Sequence, residues 1–100
     1  MKFYYKIHES QAGYLLAACD ASICGKKLAE GDLEFFVNPR FYKDKQASSA
    51  QIKKQFAVSS SANIVGKNIV QLAKDLGLIK KENIVIVAGI PHAQLVVVKL

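Results

Sequence analysis

Residues 84–98, IVIVAGIPHAQLVVV, hold two short β-branched runs, 84–88 and 95–98, on either side of a turn carrying Pro91 and His92. Neither run is long enough to span a bilayer, so both must be buried as strands of a sheet. The sequence predicts a central, fully buried strand over 84–88, a turn over 89–93 and a last strand over 94–99. Upstream, Ser59, Ser60 and Ser61 offer N-caps for a main helix. In that helix Val65, Ile69, Leu72 and Leu76 share one core-facing stripe, and Asn63, Lys67, Gln71 and Lys74 share another. Gly77 suits its C′ position. Gly66 costs a helix interior about 1 kcal/mol relative to alanine, which predicts a close backbone approach there.

The first half of the chain is read in the same way. Phe3, Tyr5 and Ile7 alternate with more polar residues and predict a strand over 2–8. LLAAC predicts a buried strand over 14–19, paired with the first as a hairpin through Gly13. Leu33, Phe35 and Val37 alternate in a third strand, 33–37, which Pro39 ends. Residues 40–46 read as an ordered loop. Ser48 and Gln51 have capping-box spacing and predict a short helix over 49–57. The expected fold is α+β, a single domain over 1–100, with about five mostly antiparallel strands and one main and one short helix packed on the sheet.

Fourteen basic and eight acidic residues leave a net charge of +6, which favours phosphate polymers or acidic surfaces as partners. No basic-then-apolar leader follows Met1 and no apolar run spans a membrane, so the expected compartment is the cytoplasm, with the cysteines reduced. The densest basic-aromatic segment is 40–54. It carries net +4 from Arg40, Lys43, Lys45, Lys53 and Lys54 against Asp44, with Phe41 and Tyr42 interleaved. Aromatic rings there can stack on bases while the cations, together with Lys67, hold phosphates. The alternative is that Phe41 and Tyr42 anchor the loop and the lysines are a solvated face.

Three smaller constellations are candidates for ligand or partner contact. His92, held on a stiff corner by Pro91, can act as an acid, a base or a phosphate donor, with Gln94 beside it; its other reading is a histidine that fixes the loop. Ser60, Ser61 and Asn63 at the expected helix start present amides and hydroxyls to an anion, or serve only as caps. Cys19, Cys24, His8 and His92 are potential zinc ligands, but the Cys-x4-Cys spacing is loose for a knuckle, and Cys19 at the end of an apolar strand reads as a buried thiol. No metal, cofactor or catalytic residue is therefore assigned.

Six segments occur in an order that resembles an archaeal family. They are YKIH (5–8), LLAACD (15–20), Gly25-Lys26, Phe41-Tyr42, ANIVG (62–66) and GIPHAQ (89–94). The family is domain of unknown function 424, and the likeness runs nearly end to end. One departure is Cys24, where the family more often has an aliphatic residue. The resemblance implies a small cytoplasmic archaeal protein whose gene lies beside translation genes, including those of initiation-factor subunits. It implies no activity or cofactor.

The expected function is therefore that of a non-catalytic RNA-binding or ribosome-associated accessory protein of translation, with RNA, ribosomal subunits or translation factors as partners. Membrane is not an expected partner, no DNA specificity is evident, and the sequence assigns no oligomeric state. Two alternatives are a small enzyme acting on a phosphorylated or nucleotide-like ligand with His92 as acid or base, and a protein-interaction module using a sheet edge or the GIPHAQ corner.

Overall fold

The structure, a computed structural model, describes residues 2–97. The α+β class holds, and the strands are more numerous than expected. Strands β1 (Phe3–Ser10) and β2 (Gly13–Asp20) form the foreseen hairpin, pairing from Phe3 with Asp20 to Ser10 with Gly13. A second hairpin, β3 (Lys27–Glu30) with β4 (Leu33–Phe36), stands apart as a two-stranded sheet. The four-residue helix α1 (Pro39–Tyr42) and the short strand β5 (Lys45–Ala47) occupy the segment expected as a loop. Asn38 caps α1 by accepting the Arg40 amide, and Pro39 supplies a pre-set φ at its start.

Helix α2 (Ser49–Val58) follows with the capping box in place. The Ser48 hydroxyl accepts from the Gln51 amide, and the Gln51 side chain accepts from the Ser48 amide. Beyond it the sequence reading requires correction. Residues 61–65 are strand β6 (Ser61–Val65), and the main helix begins only at α3 (Lys67–Asp75). Ser59 closes α2 and is buried, its hydroxyl donating to the Gln55 carbonyl. Ile64 and Val65 satisfy a helical stripe and a strand equally well. Parallel pairing with β2, Leu15 with Ser61 through Cys19 with Val65, decides for the strand.

Strands β7 (Ile84–Val87) and β8 (Ile90–Val96) complete the main sheet in the order β5-β1-β2-β6-β8-β7, antiparallel except between β2 and β6. The turn is shorter than expected, Ala88-Gly89, so Pro91, His92 and Gln94 lie within β8. Residues 98–99 of the expected last strand lie outside the described residues. The central strands are β2 and β6. The run expected to be central, β7, is an edge, with Val85 58% and Ile86 57% exposed. A β-branched run signals a strand but does not carry its position in the sheet.

Alternation along β2 and β6 builds two cores. Leu16, Ala18, Ala62 and Ile64 face α2 and α3, meeting Ile52, Phe56, Ile69 and Ala73. Ala17, Cys19 and Val65 face the other way, beneath Tyr42, Val37 and Leu28 of α1 and the β3–β4 hairpin. That second cover ends at Asn63 on β6 and His92 on β8.

Candidate functional site

Asn63 sits where the covered part of the second face meets the open part. Its side-chain oxygen accepts from the Tyr42 hydroxyl at 2.6 Å and lies 2.9 Å from His92 Nε2. An oxygen acceptor there calls for the tautomer with the proton on Nε2. The His92 ring packs on Phe35, with centroids 4.6 Å apart. Burial holds its imidazole below the ordinary histidine value of 6.5, so it is neutral near pH 7. Burial likewise pushes the Tyr42 phenol up, and pushes the Cys19 thiol up beside Cys24 and Asp20. A thiol so disfavoured as thiolate is no nucleophile. Among the described residues no three of His, Cys, Asp and Glu are grouped to hold a metal ion.

A second junction adjoins the first through the sheet register, which pairs Val65 with His92. The Gly66 amide donates to the Pro91 carbonyl at 2.9 Å. At the end of β2 the buried Asp20 carboxylate accepts from the amides of Asn68 and Ile69, both at 2.9 Å. It thereby caps α3, whose N-cap residue Gly66 has no side chain to do so. Burial pushes this carboxyl above the ordinary carboxylate value, against the opposing pull of the two amides. Gly66 has φ +128°, and its missing Cβ leaves the space that Asp20 fills. The close approach expected at Gly66 is real, but it occurs at a strand-to-helix corner and involves a side chain. Asp20 escapes the sequence reading because its target amides lie 48 and 49 residues away. The available signal was an acid ending a buried strand, together with a glycine that no helix interior needs.

The partner-contact candidates distribute as follows. Asn63 and His92 are bonded to each other. Ser61, Asn63 and Gln94 line one shallow hollow of about 370 Å³ on the open sheet. Ser60 donates its amide to the Tyr14 carbonyl. The helix start expected to hold an anion at residues 59–63 is absent, because those amides belong to the end of α2 and to β6.

The basic segment runs from α1, on the Asn63 face, through β5 at the sheet edge into α2 on the opposite face. Tyr42 is 2% exposed and offers no ring face to a base. Phe41 stacks on His8 at 4.6 Å, and its carbonyl lies 2.9 Å from His8 Nε2. Both rings therefore anchor α1. Arg40, Lys43, Lys45, Lys53 and Lys54 are exposed on α1, β5 and α2, with Lys43 Nζ 4.8 Å above the Tyr4 ring. Lys67 is separated from them. It begins α3 and borders a groove beside β7, at the opposite sheet edge from β5.

These contacts join the segments YKIH, LLAACD, Phe41-Tyr42, ANIVG and GIPHAQ on one face of one sheet. The model of the family described as protein of unknown function (DUF424) matches residues 7–98. The chain belongs to the DUF424 family. A solved structure described as an uncharacterized conserved protein from Methanopyrus kandleri is similar to this DUF424 chain, with 22% identity and a TM-score of 0.80. The match covers 97% of this chain and 92% of that one. At such identity the likeness shows a shared fold. Comparison with curated proteins finds no match.

The His92 environment gives a pH prediction. A histidine that binds its proton less well folded than unfolded contributes stability that is complete above pH 6.5 and is lost as the pH falls below it. His92→Gln keeps an N–H donor for Asn63 and removes the titration. Melting curves between about pH 7 and about pH 5 are expected to fall more steeply for the natural protein than for the variant. Parallel curves would show that His92 does not titrate differently on folding.

Proposed function

We propose that this DUF424 chain is a non-catalytic RNA-binding accessory protein of archaeal translation, cytoplasmic, gripping RNA by phosphate rather than by base. The supporting observation is charge left unneutralised. Among the described residues the ion pair is Lys27 with Glu34, at 3.2 Å. Arg40, Lys43, Lys45, Lys53 and Lys54 are thus exposed without a carboxylate partner, on α1, β5 and α2 around the β5 edge of the sheet. Phosphates neutralise such a row with release of counterions. The translation setting is supported by the gene neighbourhood that the family resemblance implies. No helix among the described residues is long and apolar enough to cross a membrane.

Five phosphate contacts predict that the logarithm of affinity for single-stranded RNA falls against the logarithm of salt with a slope of about −3.5. Lys43→Gln with Lys45→Gln is expected to reduce that slope by about 1.4. Fluorescence anisotropy across a salt series measures both. A slope near zero, or one that the double variant leaves unchanged, contradicts the proposal.

A further inference from the structure

The two edges of the main sheet are finished differently. Strand β5 is three residues long and carries Lys45, a common protection against edge pairing. Strand β7 reads Ile-Val-Ile-Val, with no charge, proline or bulge, and no strand pairs with its outer side among the described residues. Ile86 lies opposite Pro91 of β8, and Pro91 turns its carbonyl the other way, to the Gly66 amide. In an antiparallel ladder bonded and non-bonded pairs alternate. Val85 and Val87 therefore bond to β8, and the N–H and C=O of Ile86 and the C=O of Ile84 point outward, the Ile84 N–H being taken by the Lys81 carbonyl.

Along this edge runs a groove of about 510 Å³ with an apolar floor that includes Val70, Ile84 and Ile86. Its rim is Lys67 and Lys74 of α3 with Lys81, all exposed. Among the described residues none of the three forms an ion pair. The nearby Asp75 carboxylate is engaged by Gln71 at 2.8 Å.

We propose that β7 is a docking edge for an extended acidic peptide of a partner protein, which adds a strand by bonding Ile84 and Ile86 and sets carboxylates against Lys67, Lys74 and Lys81. Alternate side chains of an added strand fall on the groove side, next to the lysine rim. A second copy of this chain fits the edge poorly, because two-fold pairing of β7 strands places both lysine rims side by side. RNA fits poorly as well, because phosphate oxygens accept hydrogen bonds but give none to the outward carbonyls, and Val85 and Ile86 remain bare. This surface lies across the sheet from the proposed phosphate-binding row and does not depend on it.

The test uses a short labelled peptide of alternating glutamate and valine and the intact protein. Two N-methylated versions carry the methyl on every glutamate nitrogen or on every valine nitrogen. The unmodified peptide is expected to bind, and one N-methylated version to bind while the other does not, because an added strand turns only alternate amides toward β7. Ile86→Pro removes an outward N–H without breaking a bond to β8 and is expected to weaken binding roughly tenfold, the value of one backbone hydrogen bond. Charge reversal at Lys67, Lys74 and Lys81 is expected to abolish it. The proposal is overturned if the peptide does not bind, if both N-methylated versions bind equally, or if the free protein self-associates through β7. It is also overturned if oligouridylate, and not the peptide, shifts the amide resonances of Ile84 and Ile86.

Discussion

Gly66→Ala is expected to lower the stability of the fold by on the order of 4 kcal/mol. Two costs combine. At φ +128° and ψ 150° the backbone occupies a region that only glycine enters cheaply. The new Cβ would also lie 2.7 Å from both carboxylate oxygens of Asp20, which cannot withdraw without releasing the amides of Asn68 and Ile69. Domains of this size are held by about 5–15 kcal/mol, so the variant is left near the threshold of folding. Urea denaturation measures the loss, and a change below about 1 kcal/mol would show that the corner is not built as described.

Asp20→Ala is expected to cost about 2–3 kcal/mol, by removing the cap of α3 and leaving a buried amide without an acceptor. The two substitutions are coupled. In the Asp20→Ala background Gly66→Ala no longer meets a carboxylate, so only the backbone strain of about 1–3 kcal/mol remains and the double variant is less destabilised than the two losses combined. Additive losses in the same denaturation experiment would mean that Asp20 and Gly66 act independently.

What the sequence disclosed was local, and what it withheld was non-local. The first hairpin, the Ser48–Gln51 capping box and the breaks at Pro39 and Gly77 are each written within a few residues, and each stands in the structure. Residues 61–65 were legible as a regular element but not as a strand, since Ile64, Val65 and Ile69 satisfy either period until the pairing with β2 is known. For the same reason β7, expected at the centre, is an edge, and the centre belongs to β6, expected as the start of a helix. The site shows the same division. Asn63 and His92 were both singled out, yet the bond between them spans 29 residues. Asp20, whose carboxylate oxygens serve a helix 48 residues on, has no role legible at its own position just past the expected strand 14–19. Among interleaved cations Tyr42 reads equally as a stacking ring or as an anchor of the loop; its burial, which depends on β6 running beneath it, decides for the anchor.

The central claim divides the molecule into a structural network of Tyr42, Asn63 and His92 and a separate cationic edge that meets RNA. The most direct measurement compares RNA affinity and melting temperature in two variants. One is His92→Ala, assayed below its melting temperature. The other carries glutamine at positions 43, 45, 53 and 54. His92→Ala removes one of the two hydrogen bonds to Asn63 Oδ1 and the packing of the ring on Phe35, which together cost about 1–3 kcal/mol. His92→Ala is therefore expected to melt lower and to bind RNA as the natural protein does, and the glutamine variant to keep its melting temperature and lose RNA binding. RNA binding abolished by His92→Ala at an unchanged melting temperature, with the glutamine variant binding normally, would contradict the account.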